Sequence, residues 1–133
     1  MAVTTDEVPA ELLAVTDDFL RTFNEADVPG HADTLAYPHV RLASGTVRIW
    51  AERDEAVTAM TGTHELLRER TGWTHSRWDH RRLIHQGEDK AHLDVQFTRY
   101  RGDESVVGVY PAVYVLVRTP AGWLIQARSS FAP

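Results

Sequence analysis

The order in which the apolar pattern changes along the chain constrains its fold more than any single residue does. Spacings of three and four come first, near-alternation comes last, and one hairpin lies between them. Leu12, Val15, Phe19, Phe23 and Ala26 recur at helical spacing and predict a first helix from about Val8 to Glu25, with Thr5 or Asp6 as its cap. Pro29 suits the first turn of a second helix running through Leu35, where its missing N–H is not needed. Tyr37-Pro38 ends that helix. Val40–Ala43 and Thr46–Trp50, joined by Ser44-Gly45, read as the hairpin. Glu52, Asp54 and Glu55 then complement the positive end of a third helix, with an apolar stripe of Val57, Met60, His64 and Leu67 and a latest end at Gly72.

The remainder is strand. Trp78–Gln86, Ala91–Tyr100, Val106–Val117 and Trp123–Phe131 are separated by Gly87-Glu88-Asp89, Arg101-Gly102-Asp103 and Thr119-Pro120-Ala121-Gly122. Four strands joined by three short turns make a meander. The expected architecture is an α+β cone: three helical segments packed on a strongly curved, mostly antiparallel sheet in the order α-α-β-β-α-β-β-β-β. A chain of 133 residues without a linker or internal repeat fits one domain, residues 1–133.

Composition excludes several function classes. A net charge of −5 disfavours a phosphate-binding surface, so nucleic acid is not an expected partner. No run approaches the roughly 18 apolar residues of a membrane span, so no membrane association is expected. Met1 to Glu7 lacks the basic and apolar regions of a signal peptide, which points to the cytoplasm. With no cysteine there is no disulfide, thiolate nucleophile or cysteine-ligated zinc. His64-Glu65-Leu66-Leu67-Arg68 begins like a zincin helix but carries arginine where the second histidine must sit. The seven histidines show no compact ligand spacing, and no metal or organic cofactor is expected. Arg101-Gly102-Asp103 is a turn.

The order of elements resembles the nuclear transport factor 2-like superfamily, which includes the SnoaL-like polyketide cyclases and the ketosteroid isomerases. Phe19-Leu20-x-x-Phe23-Asn24, Tyr37-Pro38-His39-Val40, Gly122-Trp123 and Arg128-Ser129-Ser130-Phe131 carry the likeness over nearly the whole chain. The resemblance implies a pocket between helices and concave sheet, and commonly a dimer through the outer sheet face. It does not assign a reaction, because this fold hosts many chemistries. Ketosteroid isomerases place a general-base aspartate on the strand after the second helix. The corresponding stretch here, His39 to Ser44, has no carboxylate, and His39 is its one group with a near-neutral ordinary pKa.

Strand parity sorts the other candidates. Leu93, Val95, Phe97 and Arg99 share one face, placing Arg99 at the end of an apolar row where a guanidinium can bind a carboxylate or an enolate oxygen. His92, Gln96, Thr98 and Tyr100 share the other face, which is available to a second subunit. Val106–Val117 is apolar on both sides and reads as central. Either Asp79 or His80 points inward, adjacent residues not normally doing so together. Arg128 falls opposite Ile125 in parity, at a dimer surface or paired with a carboxylate such as Asp79. Tyr37, Trp50, His64, Trp78 and Tyr114 are candidate cavity aromatics, set against a plain core role.

Two readings follow. In the first, a cofactor-independent enzyme of cyclase, isomerase or lyase type acts on a small, largely apolar carbonyl compound. His39, Asp79 or His80 removes a proton, while Arg99 and Tyr114 steady the oxyanion. In the second, the same pocket binds a small ligand without catalysis, or the domain serves dimerisation.

Overall fold

The computed structural model describes residues 7–133. Helix α1 spans Ala10–Asn24 and buries Leu12, Val15, Phe19 and Leu20. It begins after Pro9; the expected caps Thr5 and Asp6 lie outside the described residues. Asn24 fastens its far end to the sheet, donating to Ser76 O at 2.9 Å and accepting from Ser76 N–H at 2.8 Å.

Helix α2 is shorter than its pattern predicts, Val28–Ala32, with Asp27 accepting from the Gly30 N–H. Strand β1 then starts at Leu35 and runs to Ala43, through a cis Tyr37–Pro38 peptide. Strand β2, Thr46–Trp50, closes the hairpin with Arg41 opposite Arg48 and His39 opposite Trp50. The third helical segment is broken in two, α3 at Arg53–Met60 and α4 at Thr63–Thr71. Gly62 lies between them at φ +88°, a conformation that only glycine adopts without strain. The break swings α4 so that His64 is buried against Phe23 and Trp73.

Strand β3 starts earlier than expected, at Trp73, and runs to Gln86; β4 is Lys90–Arg101, β5 Val106–Thr119 and β6 Gly122–Ser130. One six-stranded sheet has the order β2-β1-β6-β5-β4-β3. Every pair is antiparallel except β1 with β6, so the last strand of the meander inserts beside the first hairpin. The core lies between α1 and the concave face, centred on Leu12, Leu93, Val95, Tyr114, Leu116 and Ile125. Strand β5 is interior to the sheet, but its outer row is not covered: Val109 and Val113 remain 49% and 42% exposed.

Two β-bulges decide which side chains reach the concave side. In β3 the register shifts between Trp78, opposite Phe97, and His80, opposite Gln96, leaving Asp79 as the extra residue. In β6 it shifts between Ile125, opposite Leu116, and Ala127, opposite Val115, leaving Gln126 extra. The second bulge reverses the parity beyond it, so Ile125 and Arg128 both face inward.

Candidate functional site

The cavity lies where the hairpin, the concave sheet and the helices converge. Its volume is about 210 Å³. Phe19, Leu20 and Phe23 of α1 and Met60 and Leu67 of the split third segment supply apolar walls. The sheet contributes Trp50, Phe97 and Tyr114 together with Arg41, Arg48, Arg99 and Arg128.

Arg128 is held in place. Its Nε–H donates to His39 Nε2 at 3.1 Å, the Tyr114 hydroxyl supports its charge, and its guanidinium lies 5.1 Å from the centre of the Phe19 ring. Burial nevertheless pulls its pKa down to about 10, which leaves it charged at neutral pH. Behind it, His39 is fully buried and uses both ring nitrogens. Nδ1–H donates to the Ile125 carbonyl at 2.9 Å, so Nε2 is the unprotonated acceptor for Arg128. Burial first, and Arg128 second, lower the His39 pKa to about 3. It is a buried positioning residue, not a base exposed to a ligand.

Arg99 sits at the end of the β4 apolar row, as parity predicts, and is 6% exposed. Its Nε has no partner, and aromatic rings surround it: Tyr110 at 5.0 Å, Phe97 at 5.7 Å and Phe23 at 5.9 Å from its central carbon. Gly108, opposite Arg99 in the ladder, has no side chain because a Cβ there would collide with the Tyr110 ring and hydroxyl. Burial lowers the Arg99 pKa, partly offset by Tyr110.

The expected site divides. Arg99, Arg128, Trp50 and Tyr114 meet in the cavity, and His39 stands directly behind. Asp79 and His80 do not meet them. The β3 bulge turns both to the convex side, where Asp79 accepts from Thr98 Oγ1 at 2.7 Å and Gln96 Nε2 at 3.1 Å, and His80 lies 3.3 Å from Asp94. Arg128 therefore neither pairs with Asp79 nor reaches the outer surface. Trp78 packs in the core on Phe97 and Tyr114 and donates to Thr16 O, and does not itself line the cavity. Tyr37 donates to Ala32 O at 2.7 Å, and burial pushes its pKa to about 12. His64 is buried outside the lining, with Nε2 unpartnered and its pKa lowered by burial.

Three polar lining residues escaped the pattern reading. Arg41 and Arg48 face each other across the hairpin on the side that carries His39 and Trp50, a parity legible in the sequence. His31 left no signal, because α2 is too short to show a period. Its Nδ1 lies 2.9 Å from Phe19 O, which fixes the proton there, and burial and Arg128 lower its pKa to about 3. Among the described residues no cluster of histidine and carboxylate side chains is arranged to hold a metal ion.

A curved sheet packed over helices around a pocket defines a cone of the cystatin-like class. The chain belongs to the NTF2-like family DUF6841, whose profile matches residues 10–130. Among solved structures it is similar to an NTF2-like protein with a cystatin-like fold from Novosphingobium aromaticivorans (TM-score 0.75, 17% identity, covering 91% of this chain and 79% of that one). It is also similar to a ketosteroid isomerase-like protein from Erwinia carotovora atroseptica (TM-score 0.68, 18% identity, 93% and 96% covered). A third similar structure is a protein from Catenulispora acidiphila in complex with S-DNPA (TM-score 0.72, 20% identity, 92% and 90% covered). No curated protein matches in sequence. At these identities the similarity concerns the fold.

Proposed function

We propose that this protein binds a small organic molecule in the cone and holds it without proton-transfer chemistry. The observation that carries this reading is the character of the lining: aromatic and aliphatic walls, four arginines, and no carboxylate side chain. A cyclase or isomerase acting by acid–base chemistry needs a proton acceptor beside its substrate. His39 is occupied on both nitrogens, Asp79 and His80 lie across the sheet, and His31, with a pKa of about 3, is a weak base. Arg99, Arg128 and Tyr114 could steady an oxyanion, yet they serve equally to bind one in its ground state. The ligand-bound structure from Catenulispora acidiphila supports the use of this fold for holding small molecules.

Trp50 lines the cavity and stacks on His39 at 5.9 Å, so its fluorescence reports occupancy. A library of small organic compounds should contain members that change this emission and raise the melting temperature. Ala59→Phe, which fills the lining on α3, should abolish both responses. Responses that survive Ala59→Phe place binding elsewhere and contradict the reading.

The protein is further proposed to be a homodimer through the convex face of the sheet. Support comes from its apolar row, with Leu42 44%, Val47 62% and Ile49 61% exposed beside Val113. Sedimentation showing monomer alone at micromolar concentration would count against it. No helix among the described residues is long and apolar enough to cross a membrane.

A further inference from the structure

The charge of the cavity is opposite to that of the molecule. The chain as a whole carries −5, whereas the buried Arg99, the half-buried Arg41 and Arg128 and the exposed Arg48 all line one small space. Burial first, and the neighbouring Arg48 second, lower the pKa of Arg41, and the charge of Arg41 acts in the same direction as burial on Arg99 and Arg128. Carboxylates to relieve them exist in the chain but are used elsewhere: Asp17 pairs with Arg81, Asp33 with Arg53, and Asp94 with His80 and Arg82. Among the described residues none of the four cavity arginines joins an ion pair. Arg99 is the extreme example, 94% removed from solvent with a free Nε and only ring faces and the Tyr110 hydroxyl for company. Unpaired buried charge is costly in a folded chain, so an arginine buried as Arg99 is, with Arg41 and Arg128 beside it, persists where a ligand supplies the counter-charge.

Resting on the reading of the cavity as a ligand site, we propose that its polar end is a carboxylate receptor for a small monocarboxylic acid with one ring-sized apolar body. The carboxylate oxygens meet Arg99 and Arg128, with Arg41 adding charge; the body lies among Phe19, Leu20, Met60 and Leu67. Size supports this class: an apolar cavity of about 150 Å³ accepts benzene, and the space here, about 210 Å³, adds room for a short acidic arm. Geometry supports it too, since the planar guanidinium fork matches a carboxylate with two parallel N–H···O bonds. Inorganic phosphate satisfies the cations but leaves the apolar walls unfilled. His39 acts here through Arg128: its unprotonated Nε2 takes the Nε–H and orients the guanidinium, whose remaining N–H groups are shared between Tyr114 and the ligand.

Calorimetric titration of the protein with 3-phenylpropionate, 3-phenylpropanol and inorganic phosphate tests this. The acid should bind at least tenfold more tightly than the alcohol and than phosphate. Arg99→Met should lose at least tenfold for the acid and leave the alcohol unchanged, Arg41→Met should lose severalfold, and Asp79→Asn should match the wild type. Without ligand, Arg99→Met should melt at or above the wild-type temperature, because it removes an unpaired buried charge. Equal binding of acid and alcohol, unaffected by Arg99→Met, overturns the carboxylate receptor and leaves the pocket reading standing. Phosphate binding more tightly than the acid also overturns it. Failure of both aromatic compounds to bind overturns the two readings together. A melting temperature well below the wild type in both methionine variants marks the arginines as structural and overturns the proposal.

Discussion

The two faces of one sheet treat ionisable residues in opposite ways. On the convex face Asp79, His80, Arg82 and Asp94 satisfy one another and their polar neighbours within reach of water. On the concave face Arg99 and Arg128 lie among aromatic rings with Arg41 nearby and no carboxylate side chain in the lining, and the two histidines beside them are held neutral. The residue types overlap, but solvent differs. A convex group as exposed as Asp94 is rehydrated when it loses its partner, whereas a buried concave group has only protein or ligand to turn to. Function is therefore assigned to the side where the structure leaves charge unmatched.

Removing a concave hydrogen-bonding group should cost more than removing a convex one. His39→Ala deprives both the Ile125 carbonyl and Arg128 Nε of a buried partner and is expected to cost about 3 kcal/mol or more in urea unfolding. Asp79→Ala should cost less, about 1–2 kcal/mol, since Gln96 keeps contact with solvent and only the buried Thr98 hydroxyl loses its acceptor. Equal losses would erase the distinction between the faces.

Acid should expose the same contrast. His31 and His39 have folded pKa values lowered to about 3, against about 6.5 in an unfolded chain. Between these limits the unfolded chain holds more protons, so stability is full above about pH 6.5 and falls as pH drops toward 3. Each histidine contributes up to about 1.4 kcal/mol per pH unit in that window. Unfolding free energies from about pH 7 to about pH 4 should show this slope, and His39→Gln should remove about half of the part that His31 and His39 contribute together. A slope unchanged by that substitution would mean that His39 titrates normally.

The third effect is smaller and opposite in sign. Arg99→Met should stabilise the unliganded protein by about 1 kcal/mol, because an apolar side chain of similar length replaces an unpaired buried cation. A clear loss in urea unfolding would show that the surrounding rings and Tyr110 already compensate the charge. Smallest of all, Ile49→Lys on the convex row should change monomer stability by no more than about 0.5 kcal/mol. It should nonetheless shift sedimentation toward the monomer, and unaltered association would move the interface off that row.

Much of the fold was legible because periodicity changes only where elements change. The stripe from Leu12 to Phe23 named α1, and the turns at Gly87, Gly102 and Gly122 delimited the meander. The break at Gly62 was missed, since Met60, His64 and Leu67 keep helical spacing across it. The site was half legible. Arg99, Trp50 and Tyr114 followed from alternation and composition, whereas Asp79, His80 and Arg128 depended on bulges. A bulge is an extra residue in a ladder, a relation between two strands that one strand's sequence does not display. His39 was found for its titration range, yet the chain uses its tautomer: a carbonyl on one side fixes the proton and an arginine on the other reads the lone pair.

A crystal structure grown with 3-phenylpropionate tests the central claim most directly. The account predicts the carboxylate oxygens at about 2.7–2.9 Å from guanidinium nitrogens of Arg99 and Arg128, with the ring against Phe19 and Leu67. An acid bound on the convex face, or lying in the cavity with its carboxylate turned away from the arginines, would contradict it.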